Sequence, residues 1–137
     1  MIKTTVRAYI VLVGDDYDVN HVTQELNIMP TWTNDKDEIL RHGRKRGYME
    51  WAIDTGDEPS LDNEIQLNKI LLPIRNKADI MCNLSELYNA NWYIRLVVYI
   101  ENGETPAMSF SEENVNFIAS INASISIDAY VLSAYEG

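Results

Sequence analysis

The side chains of this sequence that could carry catalytic or metal chemistry are few and widely spaced. His21, His42 and Cys82 are its only histidines and cysteine, and they lack the close pairing that zinc sites use. Cys82 falls in a predicted helix, where we expect a half-buried small hydrophobe rather than a nucleophile. We interpret His21, which lies near Asp18 in the first predicted helix, as a structural or surface residue. We therefore predict no catalytic residue and no metal ligand.

Two motifs for binding ions or cofactors are incomplete. Residues 16–27 begin like a calcium-binding loop, but the sixth position is His21 where glycine is needed, and the twelfth is Asn27 where a bidentate glutamate is needed. The six glycines are scattered and form none of the glycine-rich loops that hold nucleotide phosphates. The sequence therefore predicts no cofactor.

One basic loop, residues 41–46, stands in an otherwise acidic sequence. It holds four of the eleven lysines and arginines, including Arg44, Lys45 and Arg46. One interpretation is a contact for an anion or a partner. The other is a solvated hairpin tip that is balanced by the acidic residues of 35–38, as mixed-charge loops often are.

The charge of the chain argues against polyanionic partners. It has 21 acidic and 11 basic residues, a formal net charge of −10. Such a charge repels nucleic acid on average and steers basic partners towards the protein. The single cysteine fits a reducing compartment, the apolar run 8–13 is short for a signal peptide, and no run approaches a membrane span. We expect a cytoplasmic protein that binds neither nucleic acid nor membranes.

The elements that must position these residues follow from hydrophobic periodicity. Alternation predicts strands at 2–13, 48–54, 92–100 and 123–135, and residues 28–32 are extended. Helical stripes follow caps at Asp18, Ser60 and Ser111, with a further helix near 76–88 and a break at Pro73. We predict a single α+β domain over 1–137. It has a mixed or antiparallel sheet of about five strands with helices packed on it, in ferredoxin-like element order plus an extra helix and strand.

The two faces of this predicted sheet differ. Trp51 shares a face with Met49 and Ile53 and is expected in the core. The other face combines aromatic and charged side chains, namely Arg7, Tyr9, Tyr48, Glu50, Tyr93, Arg95, Ser126, Asp128 and Tyr130. Tyrosine and arginine are enriched where proteins meet partners, so we predict a protein contact here. The alternative is a solvated face in which Arg7 and Arg95 pair with Glu50 and Asp128.

Several short motifs are similar to those of one family. They are Gly14-Asp15-Asp16-Tyr17-Asp18, Leu26-Asn27-Ile28-Met29-Pro30, a basic loop with Gly43 and Gly47 followed by Trp51, and Ile121-Asn122-Ala123-Ser124-Ile125-Ser126-Ile127-Asp128-Ala129-Tyr130. Together they span nearly the whole chain, which resembles the bacterial domain of unknown function 4279 family. The resemblance implies a small bacterial cytoplasmic α+β protein. It brings no activity and no catalytic residue.

The function hypothesis that best fits these observations is a non-enzymatic protein-binding module. An immunity or inhibitor protein for a basic partner is one form it could take, and self-association is another. The residues predicted to contact a partner are Arg7, Tyr9, Tyr93, Arg95, Tyr130, Arg44, Lys45 and Arg46. One alternative is a small-ligand or anion binder that uses the loop 41–46 and Trp32. The other is an enzyme with an unrecognised carboxylate or histidine site.

Overall fold

The computed structural model describes residues 3–132, which form six strands and four helices. The strands are β1 (Thr5–Gly14), β2 (Trp32–Asn34), β3 (Met49–Asp54), β4 (Glu58–Pro59), β5 (Asn91–Ile100) and β6 (Ser124–Val131). The helices are α1 (Val19–Leu26), α2 (Asn63–Leu71), α3 (Ala78–Tyr88) and α4 (Glu112–Ser120). A 3₁₀ turn, Leu72–Ile74, follows α2, because Pro73 cannot continue an α-helix, as predicted.

The strands form one sheet in the order β2-β3-β1-β5-β6, with β4 also paired to β1. β3 and β5 flank β1 antiparallel, β2 is antiparallel to β3, and β6 is parallel to β5. β1 and β2 therefore run in the same direction with β3 between them, which is the split β-α-β arrangement that the ferredoxin-like element order predicts. The α+β prediction is confirmed. The sheet has one strand more than the five predicted, namely β4, whose two residues are too few to show alternation.

The helices pack on the face of the sheet that carries Ile10, and two tryptophans centre this core. Trp51 is fully buried, as predicted, and its ring meets Trp92 edge-to-face with centroids 6.1 Å apart. The indole N–H of Trp51 donates to Oγ1 of Thr23 at 3.0 Å, and that of Trp92 donates to the carbonyl of Met81 at 3.0 Å. The two indoles thus connect β3 and β5 to α1 and α3.

The stripe that periodicity predicts after Ser60, formed by Leu61, Ile65, Leu71 and Leu72, is only partly correct. The cap is Asp62, which accepts from the backbone N–H of Glu64 at 3.0 Å, rather than Ser60. Leu71 is buried as expected, whereas Leu61, Ile65 and Leu72 are exposed. The buried side includes Asn63 and Gln66, whose amides bond Ser109 and Glu58. Each amide has one bonded atom, the Oδ1 of Asn63 and the Nε2 of Gln66, and a hydropathy pattern counts both residues as polar.

The crossover from β5 to β6 runs through α4. Ser111 caps this helix by accepting from the N–H of Asn114 at 3.2 Å, as predicted. Of the three residues that periodicity predicts to face the core, Ile118 is buried, but Val115 and Ala119 are exposed. β6 then lies parallel to β5 at the end of the sheet. The strand predicted over 123–135 ends at Val131, and residues 133–137 lie outside the described part. Between residues 3 and 132, no helix has both the length and the apolar character needed to cross a membrane.

Candidate functional site

The sheet has a second side, which we call the open face, opposite the helices. Strand register places on it Arg7, Tyr9 and Val11 of β1, Glu50, Ala52 and Asp54 of β3, Tyr93, Arg95, Val97 and Tyr99 of β5, and Ser124, Ser126, Asp128 and Tyr130 of β6. The structure thus brings five of the eight predicted contact residues onto one face. Tyr48, expected on the same face, precedes β3 and lies outside the strand.

One half of the open face is a closed network around Asp54. The Arg7 guanidinium donates to both carboxylate oxygens of Asp54, from Nε at 3.0 and 3.1 Å and from Nη2 at 2.5 Å. The indole N–H of Trp32 and the backbone N–H of Gly56 each donate to the same carboxylate at 2.8 Å. Tyr9 completes the cluster, since its ring lies edge-on to Trp32 at 5.8 Å and under the Arg7 guanidinium at 4.7 Å.

The pKa shifts of Asp54 and Arg7 are those expected of a hydrogen-bonded ion pair. Burial alone raises the pKa of Asp54, but the hydrogen bonds from Arg7, Trp32 and Gly56 outweigh it and hold that pKa below its ordinary value. The hydrogen bond to Asp54 likewise raises the pKa of Arg7. Arg7 therefore pairs with Asp54 and not with Glu50, which accepts instead from the Asn34 amide at 2.7 Å.

The other half of the open face, formed by β5 and β6, is not closed in this way. Arg95 is exposed and Asp128 is half-buried, and neither the guanidinium of Arg95 nor the carboxylate of Asp128 makes a hydrogen bond or ion pair with any residue from 3 to 132. The expected pairing of Arg95 with Asp128 is thus wrong. Tyr99 and Tyr130 stack with centroids 5.3 Å apart, and Tyr130 is 49% exposed. We call Tyr93, Arg95, Tyr99, Asp128 and Tyr130 the β5–β6 patch.

The basic loop is an ordered hairpin at a different place. Ile39 bridges Lys45, and Gly43 turns the chain with φ of 85°. Arg46 donates to Glu38 at 2.6 Å and lies 3.6 Å from Glu50, which places it beside β3. Because β1 and β5 lie between β3 and β6, Arg46 does not join the β5–β6 patch.

The tip of this hairpin carries side chains without partners, two of them the cations Arg41 and Arg44. Arg41, His42 and Arg44 are exposed, and their side chains have no hydrogen-bond or ion-pair partner in the described range 3–132. Lys45 lies 3.9 Å from Asp37, with both side chains largely exposed. Acidic neighbours therefore pair with Lys45 and Arg46, as one interpretation of the sequence expects, but not with the side chains at the tip.

The candidate catalytic residues take structural contacts. His21 lies with Nδ1 2.5 Å from the Tyr88 hydroxyl and Nε2 3.9 Å from Glu25, so it joins α1 to α3. Cys82 is half-buried, and its thiol donates to the carbonyl of Ser120 at 3.3 Å. Within residues 3–132, no cluster of three or more histidine, cysteine, aspartate or glutamate side chains could hold a metal ion.

Two surface clefts could accept small molecules. A cleft of about 450 Å³ lies at the start of β1, lined by Lys3, Thr4, Pro59, Ser60, Leu61 and Glu104. Another, of about 380 Å³, lies between α1 and the segment before β2 and includes Thr23, Gln24 and Met29. Neither borders the β5–β6 patch or the hairpin tip, and neither is lined by Trp32.

Sequence reasoning missed the residue that organises the closed half, Asp54. The available signal was a carboxylate at the end of β3 two residues before Gly56, whose φ of 71° lets the backbone turn back and donate to it. Its pairing with Arg7 could not be deduced, since 47 residues separate them. Trp32 was noted, but as a ligand contact rather than a donor to Asp54.

Comparison with known proteins gives one result. Neither the curated proteins nor the solved structures that were searched include a significant match to the chain. A family model described as Domain of unknown function (DUF4279) matches residues 4–132, nearly the whole sequence. With its α+β fold and its spaced motifs, the chain belongs to the DUF4279 family.

Proposed function

We propose that the chain is a non-enzymatic protein-binding module whose partner docks on the β5–β6 patch. The observation that carries the proposal is Arg95, an exposed cation without a partner among residues 3–132. On the open face Arg95 neighbours Tyr93 on one side, and Val97 separates it from the stacked pair of Tyr99 and Tyr130 on the other. Arginine and tyrosine offer large contact areas with polar ends, which is why they dominate binding surfaces.

The charge of the chain indicates what kind of partner fits. A net charge of −10 attracts a basic protein over long distances. Asp128 can receive a cation of that partner, while Arg95 can receive a carboxylate. An immunity or inhibitor protein acting in the cytoplasm is a module of this kind, and the single Cys82 is consistent with a reducing compartment.

Substitutions in the patch test the proposal. Arg95→Ala and the pair Tyr93→Ser and Tyr130→Ser should each reduce the recovery of proteins captured by the immobilised chain, as identified by mass spectrometry. Tyr48→Ser is the matched control, because Tyr48 is an exposed tyrosine away from the patch. Equal recovery of every captured protein by the patch variants and the control, with folding intact by circular dichroism, would refute this site.

A second candidate function, anion binding, is favoured by the hairpin tip. The side chains of Arg41, His42 and Arg44 have no partner within 3–132, and the three residues are close together in sequence. Titration with inorganic phosphate should shift the backbone amide resonances of residues 40–46, and Arg41→Gln with Arg44→Gln should abolish the shift. Lys69→Gln, which removes a cation elsewhere, should leave it unchanged. A shift that survives the double substitution would assign the anion to another place.

A further inference from the structure

β6 is the last strand of the sheet, and its outer edge is open in the described part of the chain. β5 occupies one side of it, and no strand among residues 3–132 pairs with the other. Its eight residues pair with β5 in continuous register without a bulge, and they include no proline, glycine or lysine. Those are the devices by which natural sheets block an edge. The backbone groups of this edge are therefore available to another strand.

The side chains of β6 also lack cover. On the helix side, Ile125 is 38% exposed, Ile127 47% and Val131 76%. On the open face, Ser126 and Asp128 are neighbours, and Asp128 is the single charged residue of the strand. A strand added at the edge would cover the apolar row, and it would bring its own side chains beside Asp128.

We propose that this added strand is β6 of a second copy of the chain, paired antiparallel and centred on Ile127. In this register Ile127 faces its own copy, Ile125 faces Ala129, and Ser126 faces Asp128. Two-fold symmetry makes such an interface self-complementary, so every contact occurs twice. The apolar pairs meet on the helix side, and the polar pairs meet on the open face.

Charge complementarity selects this partner and this register. Arg95 lies opposite Ser126 in the β5–β6 pairing, so Arg95, Ser126 and Asp128 of the second copy form one row on the open face. Two strand spacings, about 10 Å, separate the Cα atoms of Arg95 and that Asp128. A long arginine side chain can span this distance over the small Ser126. The pairing satisfies two charges that have no partner among residues 3–132 of one copy.

The neighbouring registers lose this match. Centring the pair on Asp128 sets two carboxylates directly opposite each other, which is destabilising. Centring it on Ser126 puts the two Arg95 side chains in the same row with no carboxylate between them. A strand of another protein would have to supply by chance the spacing that β6 of a second copy supplies by symmetry.

The inference goes beyond the proposed function, because it uses the backbone edge of β6, although its charge contact shares Arg95 and Asp128 with the β5–β6 patch. A dimer can form whether or not a further protein docks on the tyrosines. Cross-linking along β6 reports only on the edge, whereas Tyr93→Ser and Tyr130→Ser report on capture. The two ideas can therefore fail separately.

Cysteine cross-linking tests the register. In a Cys82→Ser background, Ile127→Cys places the two thiols on directly opposed residues, about 4.5–5.5 Å apart at Cα, within the range of a disulfide. Ser126→Cys is the matched control, since its two copies lie diagonally about 7–8 Å apart. We expect an oxidised dimer on non-reducing gels with Ile127→Cys and far less with Ser126→Cys. Equal cross-linking at both positions, or more at Ser126, would overturn the register.

Sedimentation with exchanged charges tests the pairing. The native chain should sediment as a dimer at about 0.15 M salt, where a Debye length near 8 Å screens the mutual repulsion of two acidic copies. Arg95→Asp or Asp128→Arg alone should raise the dissociation constant about tenfold, and the double variant should restore it. A native chain that stays monomeric would overturn the proposal, and the edge would then suit a strand of another protein. A double variant no better than the single ones would overturn the Arg95–Asp128 contact.

Discussion

Removing the charge of Asp54 should measure what the closed half of the open face contributes to stability. Asp54→Asn keeps the shape but leaves the guanidinium of Arg7 facing a neutral amide. Breaking a fully buried ion pair costs about 3–5 kcal/mol, whereas exposed pairs contribute about 0–1 kcal/mol. The side chain of Asp54 is 5% exposed and that of Arg7 34%, so the pair lies between these limits. We expect a loss of about 2–3 kcal/mol in the free energy of unfolding at neutral pH.

The pH dependence of this loss is a second measurement. The pKa of Asp54 is lower in the folded chain than its ordinary value of 3.8. Its charge therefore stabilises the fold fully above pH 3.8, and this stability is lost as the pH falls through the lower folded pKa. Urea unfolding of the native chain and Asp54→Asn should differ most near neutral pH and converge in acid. The slope of the unfolding free energy against urea should stay constant.

The matched control is Asp57→Asn, which removes an exposed carboxylate from the same turn. It should change the unfolding free energy by less than about 0.5 kcal/mol. If Asp54→Asn had the same urea midpoint as this control, the Asp54 network would be energetically neutral. The division of the open face into a closed and an available half would then lose its basis.

Three further substitutions test the core. Trp51→Ala should cost about 3–5 kcal/mol in thermal or urea unfolding, because the indole is fully buried, and an unchanged midpoint would contradict the strand register. Gly14→Ala should cost about 1–3 kcal/mol by overpacking, since an added Cβ would lie 2.8 Å from that of Ala90. Tyr17→Phe should cost about 1–3 kcal/mol in urea unfolding, because its buried hydroxyl donates to the carbonyl of Leu12 at 2.6 Å. Burial also raises the pKa of Tyr17, so the hydroxyl stays protonated and this loss should be the same at every pH between 6 and 9.

Strand periodicity made most of the sheet predictable, and helix periodicity did not do the same for the helices. β1, β3 and β5 alternate clearly because one of their faces is uniformly apolar. In α2 the buried side contains Asn63 and Gln66, whose amides bond Ser109 and Glu58 through one atom each. Partners that lie 46 and 8 residues away are invisible to a local pattern.

The candidate site shows the same limit at a larger scale. Alternation alone assigned Arg7 and Arg95 to one face. Which of the two cations is available depends on the end of β3, where Asp54, the last residue of the strand, holds Arg7. That contact is set by pairing register and by the turn at Gly56, neither of which the sequence states.

The difference between Arg7 and Arg95 also decides which surface a partner can use. A carboxylate of another protein that approached Arg7 would have to displace Asp54, and it would leave the indole N–H of Trp32 without its acceptor. Losing a buried hydrogen bond to a charged group costs about 1.5–3 kcal/mol, which any new contact would first have to recover. Arg95 carries no such penalty, since nothing among residues 3–132 holds its guanidinium. Binding at β5 and β6 is therefore favoured over binding at β1 and β3, although both halves present arginine and tyrosine.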